Sequence, residues 1–301
     1  MAKVTIESAD GVKGGFVCAY GLVYSAGQMK KIPNEDLKYH IERVRDLKIR
    51  DDDVYLATYP KSGTHWVWEI IVMLRRGSAE YEPSPKEAVF LDFKGADVID
   101  KVPSPRVLNC HWPCSLTPRG IFDKNIKIVH VQRNPKDIIV SFYYHHKNLG
   151  GRPFTESFQE FLPLTLGTYG IFQFYPWYKY VKEWERFTKT HPEQILNLYF
   201  EDMKEDPVRE IKKIDKFLGT GRSDELIQQI AQACHFDNLK KADLEIKEKE
   251  HMTQGRKPSI MYRKGEVGDW KNHFTVAQNA EIDEWLQENL AETELKFRYT
   301  I

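Results

Sequence analysis

Short apolar runs and longer amphipathic segments follow one another along the chain. Residues 33–48 place apolar side chains at helical spacing on a charged background, which predicts an amphipathic helix. Residues 53–59 form a run rich in Val, Tyr and Leu that ends before Pro60, which predicts a buried strand. After a glycine turn, the apolar run over 64–74 predicts a helix. A strand, a glycine turn and a helix therefore follow in that order.

The same order recurs further along the chain. Three more short apolar runs, over residues 106–109, 126–132 and 194–200, predict strands. Helical patterns follow from residue 137 and over 209–218. Strands that alternate with helices favour right-handed crossovers and a parallel sheet covered on both faces. We therefore predict an α/β fold with a central parallel β-sheet, in which ligands bind outside the carboxyl ends of the strands.

No repeat, low-complexity tract or linker divides the chain, so the sequence predicts one domain over residues 1–301. Residues 1–35 precede the first strand and turn, and they are interpreted as an N-terminal extension. The charged, glycine-containing stretch over 239–262 predicts a mobile loop that closes over the site, and a solvated helix and loop fits the same charges.

Composition narrows the possible partners. Lys plus Arg and Asp plus Glu both count 44, so the net charge is zero and no overall field draws the chain to nucleic acid or to an anionic membrane. An anion site must therefore be local. Residues 1–10 lack the pattern of a signal peptide, and no apolar run reaches transmembrane length. The four cysteines, of which Cys110 and Cys114 flank His111, fit free thiols in a reducing cytoplasm better than disulfides or a zinc site.

The sharpest local signal is the turn over residues 58–66, Thr-Tyr-Pro-Lys-Ser-Gly-Thr-His-Trp. A strand that leads into a glycine turn and a helix N-terminus aims several backbone N–H groups and the helix dipole at one spot, which suits a phosphate or sulfate. Lys61 adds a full charge there, and Ser62 and Thr64 add hydroxyl donors. Because Lys61 precedes Gly63 and the first Walker A glycine is missing, the turn argues against an ordinary ATPase or kinase loop.

Four spaced motifs resemble those of the cytosolic sulfotransferases, and the likeness runs from about residue 36 to the C-terminus. The motifs are Tyr-Pro-Lys-Ser-Gly-Thr-His-Trp at 59–66, Arg-Asn-Pro-Lys-Asp-Ile-Ile-Val-Ser at 133–141, Phe-Glu-Asp-Met-Lys at 200–204 and Arg-Lys-Gly-Glu-Val-Gly-Asp-Trp at 263–270. One motif alone is a weak signal, whereas four in order are specific. The resemblance implies 3′-phosphoadenosine-5′-phosphosulfate (PAPS) as the donor, its desulfated product PAP, a P-loop-like binding turn and no metal.

The resemblance assigns most of these residues to the donor. Lys61 is expected to contact the leaving oxygen and to neutralise charge as the S–O bond breaks. Arg133 and Ser141 are expected to bind the 3′-phosphate, and Ser141 also counts among the catalytic residues. Trp66 and Phe236 match positions that stack on the adenine. The other donor-binding residues that the resemblance implies are Ser62, Gly63, Thr64, His65, Phe200, Cys234, Arg263, Lys264 and Gly265.

On the acceptor side, the resemblance makes His111 the general base, because an imidazole with a pKa of ~6.5 can take a hydroxyl proton at neutral pH. The expected acceptor is a small, largely apolar phenol, alcohol or amine. Residues 271–281 resemble a short dimerisation segment, which predicts a homodimer. The acceptor-binding residues that the resemblance implies are Pro60, Phe90, Phe93, Asn109, His111 and His145.

Two positions depart from the family pattern. The family commonly has Lys-Thr-His where this chain has Asn109-Cys110-His111, so Asn109 is expected to keep a donor and to lose a charge near the transferring group. Losing such a stabiliser lowers turnover by about a hundredfold if nothing replaces it. Phe200 stands where the family usually has Tyr, which removes one polar contact to the nucleotide.

Three functions stay open from the sequence. An active sulfotransferase is favoured by Lys61, His111, Arg133 and Ser141 together. A PAP-, PAPS- or ligand-binding protein on the same fold with weak catalysis is the alternative that Asn109 supports. A P-loop kinase would need a lysine after the glycine and a magnesium-binding carboxylate at a strand end, and neither is placed convincingly.

Overall fold

Two β-sheets and the helices around them make up the chain, for which a computed structural model describes residues 11–13, 16–148, 157–165, 174–254 and 262–301. The strands are β1 (Gly11–Lys13), β2 (Phe16–Ala19), β3 (Leu22–Ser25), β4 (Val54–Thr58), β5 (Val107–Cys110), β6 (Ile128–Gln132) and β7 (Ile195–Tyr199). The helices are α1 (Ala26–Met29), α2 (Leu37–Arg45), α3 (Thr64–Arg76), α4 (Ala96–Ile99), α5 (Arg119–Asp123), α6 (Pro135–Asn148), α7 (Phe158–Thr165), α8 (Trp177–Thr190), α9 (Phe200–Glu205), α10 (Pro207–Leu218), α11 (Asp224–Ala233), α12 (Phe236–Gln254) and α13 (Val276–Leu290).

A four-stranded parallel sheet in the order β5–β4–β6–β7 forms the centre of the fold. Leu56 of β4 lies opposite Asn109 of β5 on one side and Val129 of β6 on the other. Every residue of β4, β5 and β6 is buried, as expected for parallel strands with helices on their faces. The predicted α/β fold with a central parallel sheet is confirmed.

Local chemistry sets the ends of the predicted elements. The amphipathic helix is α2, which begins at Leu37 because the side chain of Asp36 accepts a hydrogen bond from the N–H of Tyr39. Helix α6 begins at Pro135, two residues before the predicted start, since proline fits the first turn of a helix. Strand β7 ends one residue earlier than predicted, and Phe200 begins α9.

The N-terminal extension contributes a second sheet that the sequence analysis did not predict. Strand β2 pairs with β1 and β3 in antiparallel register. Tyr24 of β3 is fully buried, and its hydroxyl accepts a hydrogen bond from the indole of Trp112 at 2.9 Å. Val23 and Phe174 exchange two backbone hydrogen bonds of 2.8 Å. The extension therefore helps to build the region around the carboxyl end of β5.

The stretch over residues 239–262 is helical as far as Gln254, where α12 ends. Leu239 and Ala242 are buried, so the first turns of α12 pack against the fold. Helix therefore replaces loop over much of this stretch, and residues 255–261 lie outside the described residues. Movement of this stretch over the site stays a prediction.

The winding of the sheet reverses at β4. The chain passes from β4 to β5 on one side and then to β6 on the other side of β4. The loops that follow neighbouring strands diverge at such a point and leave a crevice at the carboxyl ends. Lys61 follows β4 and Arg133 follows β6. The topology therefore brings these two cations to one edge of the sheet.

Candidate active site

The turn between β4 and α3 presents its backbone to one spot. Gly63 precedes α3 with a φ of 100°, a left-handed conformation that favours glycine, and a Cβ there would lie 3.0 Å from the ring of Phe200. The first N–H groups of a helix have no partner within it, and the helix dipole adds positive charge at the same point. Ser62 is fully buried, and its Oγ has no hydrogen-bond partner among the described residues. The turn is thus suited to one anion.

The next two residues, Thr64 and His65, open α3. The hydroxyl of Thr64 lies 2.7 Å from the hydroxyl of Thr58. Nε2 of His65 lies 3.2 Å from Oε1 of Glu87. Both side chains are thus engaged with neighbouring protein groups, which leaves the backbone N–H groups of the first turn as the donors for an anion.

Arg133 connects the turn after β4 with the loop that follows residue 262. Its guanidinium donates to the carbonyl oxygens of Lys61 at 2.9 Å and of Glu266 at 3.0 Å. Its Cζ lies 4.1 Å from the ring centroid of Phe200. Arg133 is buried, and its Nε has no hydrogen-bond partner among the residues that the structure describes. A buried guanidinium with an unused donor suits an anionic ligand.

Asp137 anchors the loop that follows residue 262 to helix α6. Its carboxylate accepts hydrogen bonds from the backbone N–H groups of Gly268 at 2.7 Å and Trp270 at 3.0 Å, and from the amide of Asn134 at 2.9 Å. The helix that begins after β6 therefore fixes the distant loop at the same edge of the sheet as Arg133.

Asp269 holds the two cations of this loop. Its carboxylate accepts hydrogen bonds from Arg263 at 2.5 Å and from Lys264 at 2.6 Å. Although burial raises the pKa of Asp269, hydrogen bonds from Lys264, Asn272 and Arg263 hold that pKa well below its usual value. The carboxylate is therefore ionised at neutral pH and orients both cations.

Ser141 lies in α6 and is partly buried. One helical turn further, the ring centroid of Tyr144 lies 4.6 Å from Cζ of Arg263. Arg133 donates to the carbonyl oxygen of Glu266, three residues after Arg263, so both cations lie at this loop. The structure therefore brings the predicted 3′-phosphate residues to one region.

Aromatic rings flank the turn and the loop. The ring centroids of Trp66 and Phe200 are 5.6 Å apart. Gly265 has a φ of 67°, and a Cβ there would lie 2.3 Å from the ring of Phe236, so glycine lets the loop approach that ring. The thiol of Cys234 is buried 3.8 Å from a methionine sulfur. Contact of these residues with a nucleotide stays a prediction.

His111 follows β5, and the backbone fixes its tautomer. Nδ1 lies 2.8 Å from the carbonyl oxygen of Thr58, which can only accept a hydrogen bond, so Nδ1 carries the proton and Nε2 keeps its lone pair. The backbone N–H of His111 donates to the buried carboxylate of Asp92 at 2.9 Å. Burial, followed by the charge of Lys86, lowers the pKa of His111 to about 3. The imidazole is therefore neutral at pH 7 and able to accept a proton.

We expect kcat/KM to show no acid limb from His111 between about pH 5 and pH 8. Its pKa in the free protein is lowered to about 3, so the imidazole stays neutral throughout this range and protonates only as the pH falls towards that value. A histidine at its ordinary pKa of about 6.5 would halve kcat/KM at that pH. Initial rates at low acceptor concentration measure the profile. A limb near pH 6.5 would contradict the buried, neutral imidazole.

Aromatic rings surround His111. Its ring centroid lies 4.9 Å from that of Phe90 and 5.7 Å from that of Phe174. Phe90 lies 5.3 Å from Phe93, which in turn lies 5.6 Å from Tyr24. These rings form an apolar wall beside the imidazole, in which Phe90 and Phe93 were predicted. No motif marked Phe174 or Tyr24, which join the wall through the N-terminal sheet.

Lys61 lies in the turn between β4 and α3, called the phosphate turn from here on, and its charge reaches this wall. Its charge lowers the pKa of His111, after burial and other charges. It is also the largest charge effect on His145, whose pKa falls to about 2 chiefly because of burial. Pro60 is buried next to Lys61. The structure therefore brings Lys61, His111 and His145 within electrostatic range of one another.

The side-chain amide of Asn109 forms hydrogen bonds with the backbone. Its Nδ2 donates to the carbonyl oxygens of Lys86 at 3.1 Å and of Val89 at 3.2 Å. An amide nitrogen has two protons, and both are engaged here. The expectation that Asn109 keeps a donor for the transferring group is therefore wrong. Its Oδ1 is buried without a hydrogen-bond partner among the described residues.

Metal sites, cysteines and membrane spans are considered for the described residues alone. Among these residues, no cluster of three or more His, Cys, Asp or Glu side chains has the arrangement of a metal site. The cysteines at positions 18, 110, 114 and 234 are free thiols. No helix in these ranges combines the length and the apolar character needed to cross a bilayer.

Known proteins resemble this chain over most of its length. The family model described as a sulfotransferase domain matches residues 51–294. Sulfotransferase 1A1 of Rattus norvegicus is 34% identical over 278 residues, covering 87% of this chain and 94% of that protein. Sulfotransferase 1E1 of Homo sapiens is 35% identical over 281 residues, covering 89% and 93%. The structure of mouse sulfotransferase SULT7A1 complexed with PAP aligns with a TM-score of 0.72 and 27% identity, covering 93% of this chain and 96% of that one.

Proposed function

The chain belongs to the sulfotransferase family and is a PAPS-dependent transferase, and we propose that it moves the sulfuryl group to a hydroxyl or amine of a small, largely apolar acceptor. The observation that carries this proposal is the position of His111, whose Nδ1 lies 2.8 Å from the carbonyl oxygen of Thr58, three residues before Lys61. In our proposal the cation of the turn and the neutral base beside it act on one molecule.

The residues around the turn fit a bisphosphate nucleotide. Ser62 Oγ and Arg133 Nε are buried polar atoms without hydrogen-bond partners among the described residues. Burying such atoms costs free energy, and a ligand that forms hydrogen bonds to them removes this cost. In our proposal the turn holds the 5′-phosphosulfate, and Arg133 holds the 3′-phosphate with Ser141 and residues 263–265. The bound donor supplies an electrophilic sulfur and a phosphate leaving group. The remaining residues proposed to contact the nucleotide are Lys61, Gly63, Thr64, His65, Trp66, Phe200, Cys234 and Phe236.

His111 and Lys61 divide the chemistry in this proposal. His111 accepts the proton of the acceptor hydroxyl at Nε2, so that the electron pair of the oxygen forms the new bond to sulfur. Lys61 places its charge at the leaving phosphate oxygen, which keeps the electron pair of the broken S–O bond. Ser141 contributes by holding the nucleotide in the orientation that this displacement needs.

The aromatic wall suits an aromatic or alicyclic acceptor. Phe90 and Phe93 provide flat apolar surface beside His111, and an acceptor ring packed on them would bring its hydroxyl to the imidazole. The additional acceptor contacts proposed are those of Pro60, Asn109 and His145.

We expect Arg133→Ala to weaken PAP binding by about 100-fold, because a buried guanidinium makes charge-assisted hydrogen bonds to phosphate. The acceptor KM should change by less than about threefold, since Arg133 is anchored on the donor side to Lys61 and Glu266. Calorimetry measures the first effect and steady-state kinetics the second. Arg209→Ala removes an exposed arginine from α10 and is the matched control. An unchanged affinity for PAP would refute the phosphate assignment.

A PAP- or ligand-binding protein with weak catalysis is the second candidate. The observation that favours it is Asn109, whose amide protons are committed to backbone carbonyl oxygens. Transfer of radiolabelled sulfate from PAPS to a panel of phenols, alcohols and amines distinguishes the two candidates. Turnover of about 1 s⁻¹ or more with any acceptor supports the enzyme. Tight PAP binding with no labelled product from the whole panel would favour the binding protein.

We also propose a homodimer that works in the cytoplasm. Val276, in the segment over residues 271–281, is 90% exposed at the start of α13 and offers an apolar contact to a second copy. Free cysteines are compatible with a reducing compartment. Light scattering should give twice the chain mass for the wild type and the chain mass for Val276→Glu. Equal masses for the two proteins would contradict this interface.

A further inference from the structure

Lys86 is a buried lysine on the acceptor side of the site, and none of the roles above includes it. It lies in a short 3-10 helix, Lys86–Val89, and its side chain is 4% exposed. Its ammonium lies 4.2 Å from the ring centroid of Phe90, which lies 4.9 Å from that of His111. A cation buried against an aromatic face is stabilised by that ring, and its field is weakly screened by water.

The charge of Lys86 acts on His111. After burial, Lys86 is the largest cause of the low pKa of His111, ahead of the contributions of His65 and Lys61. Burial raises the pKa of Asp92 to about 7, and the charge of Lys86 opposes this rise. Asp92 accepts the hydrogen bond of the backbone N–H of His111, so Lys86 acts on His111 and also on the carboxyl group that holds its backbone.

Glu87 is the counter-charge on the same segment. Its Oε1 lies 3.6 Å from Nζ of Lys86 and 3.2 Å from Nε2 of His65. The side chain of Glu87 is 40% exposed, so water screens this carboxylate more than it screens the buried ammonium. The ammonium of Lys86 is therefore the less screened of the two charges, and it lowers the pKa of His111 after burial.

Asn109 fixes the segment that carries Lys86. Its amide donates to the carbonyl oxygens of Lys86 and Val89, and residues Phe90 and Asn109 form an additional parallel bridge beside β5. Positions 86 and 109 are therefore neighbours on the acceptor side. An asparagine at 109 organises the segment whose lysine supplies the charge.

We propose that Lys86 provides the acceptor side of the site with the positive charge that residue 109 lacks, as a positioning residue for sulfuryl transfer. This inference rests on the proposed function. Lys86 does not make His111 a stronger base, because its charge opposes protonation of the imidazole. Its field instead stabilises the negative charge that gathers on the acceptor oxygen as the proton leaves.

The test compares Lys86→Met with Lys94→Met and with the double variant Lys86→Met/Asn109→Lys. Replacing a buried charge by an apolar side chain of similar volume is often neutral for stability, so we expect Lys86→Met to fold. Its kcat should fall by about 10- to 100-fold, while the Kd for PAP stays within about twofold of the wild type. Lys94→Met, eight residues further along the chain and only partly buried, should keep the wild-type kcat.

The double variant separates charge from structure. A lysine at 109 should raise kcat above that of Lys86→Met, because it returns a cation to the acceptor side, although it removes the hydrogen bonds of Asn109 to residues 86 and 89. A kcat for Lys86→Met equal to that of Lys94→Met would overturn the inference, and so would a loss that Asn109→Lys does not reduce. If Lys86→Met fails to bind PAP, Lys86→Gln replaces it, and its kcat is compared with that of Lys94→Met in the same way. A wild type that transfers sulfate to no acceptor would refute the proposed function itself.

Discussion

We expect His111→Ala to lower kcat by about 1,000-fold and to leave the Kd for PAP within about twofold of the wild type. Nδ1 of His111 is protonated towards Thr58, so Nε2 is the proton acceptor beside the aromatic wall. Alanine removes this base, whereas the phosphate turn keeps its contacts with Arg133 and Phe200. Steady-state kinetics measure the loss of turnover, and calorimetry measures the unchanged PAP affinity.

Two variants control for other effects at this position. His111→Gln keeps a polar side chain of similar size but no base, so it should be as inactive as His111→Ala. His191→Ala removes an exposed histidine after α8 and should keep the wild-type kcat. A His111→Ala protein with more than about a tenth of the wild-type kcat would contradict the assignment of His111 as the base.

Lys61→Met should lower kcat by about 100- to 1,000-fold, with a smaller effect on the acceptor KM. The cause is the loss of the charge that offsets negative charge on the leaving phosphate. Residue 61 has a φ of 71°, and methionine meets the same backbone strain as lysine there, so the comparison isolates the side chain. The carbonyl of residue 61 still accepts the hydrogen bond of Arg133, which keeps the turn anchored.

Lys61→Arg and Lys124→Met are the matched controls for this change. Arginine keeps the charge and should retain more turnover than methionine, although its planar head is oriented differently. Lys124 is exposed and paired with Asp51, so its methionine variant should keep the wild-type kcat. Full turnover in Lys61→Met at saturating PAPS and acceptor would show that Lys61 does not stabilise the transition state.

The parts of the site that are local in the chain could be predicted from the sequence. The strand, glycine turn and helix over residues 53–74 depend on neighbouring residues, and Gly63 has the left-handed conformation that such a turn needs. The position of ligand-binding residues at the carboxyl ends of the strands also followed, because parallel strands joined by right-handed crossovers have few arrangements. The roles of Lys61 and Arg133 towards the donor were implied by the resemblance and stay predictions.

Contacts between distant segments could not be predicted in this way. Tyr24 reaches the aromatic wall from a sheet whose strands have three or four residues, which is too short for a clear alternation of polar and apolar positions. Asp269 binds the cations of its own loop, but nothing in the sequence shows that its carboxylate is buried.

The contacts of Asn109 and Lys86 on the acceptor side could not be predicted from the sequence either. The resemblance exposed the missing charge at Asn109, but it could not show that its amide bonds to backbone carbonyl oxygens. Lys86 lies in a polar segment without apolar residues at regular spacing, so no sequence pattern indicated that its side chain would be buried. Its burial depends on the packing of Phe90 and His111, which are close only in the folded chain.

The proposed donor site requires the turn after β4 and Arg133 to bind a nucleotide with phosphates at its 3′ and 5′ positions. Calorimetric titration with PAP and with ATP, each without metal, measures this binding. We expect a Kd for PAP of about 1 μM or tighter and little binding of ATP, which lacks the 3′-phosphate assigned to Arg133 and Ser141. An absence of PAP binding, or a preference for ATP that requires magnesium, would contradict the proposed donor site and favour a P-loop kinase.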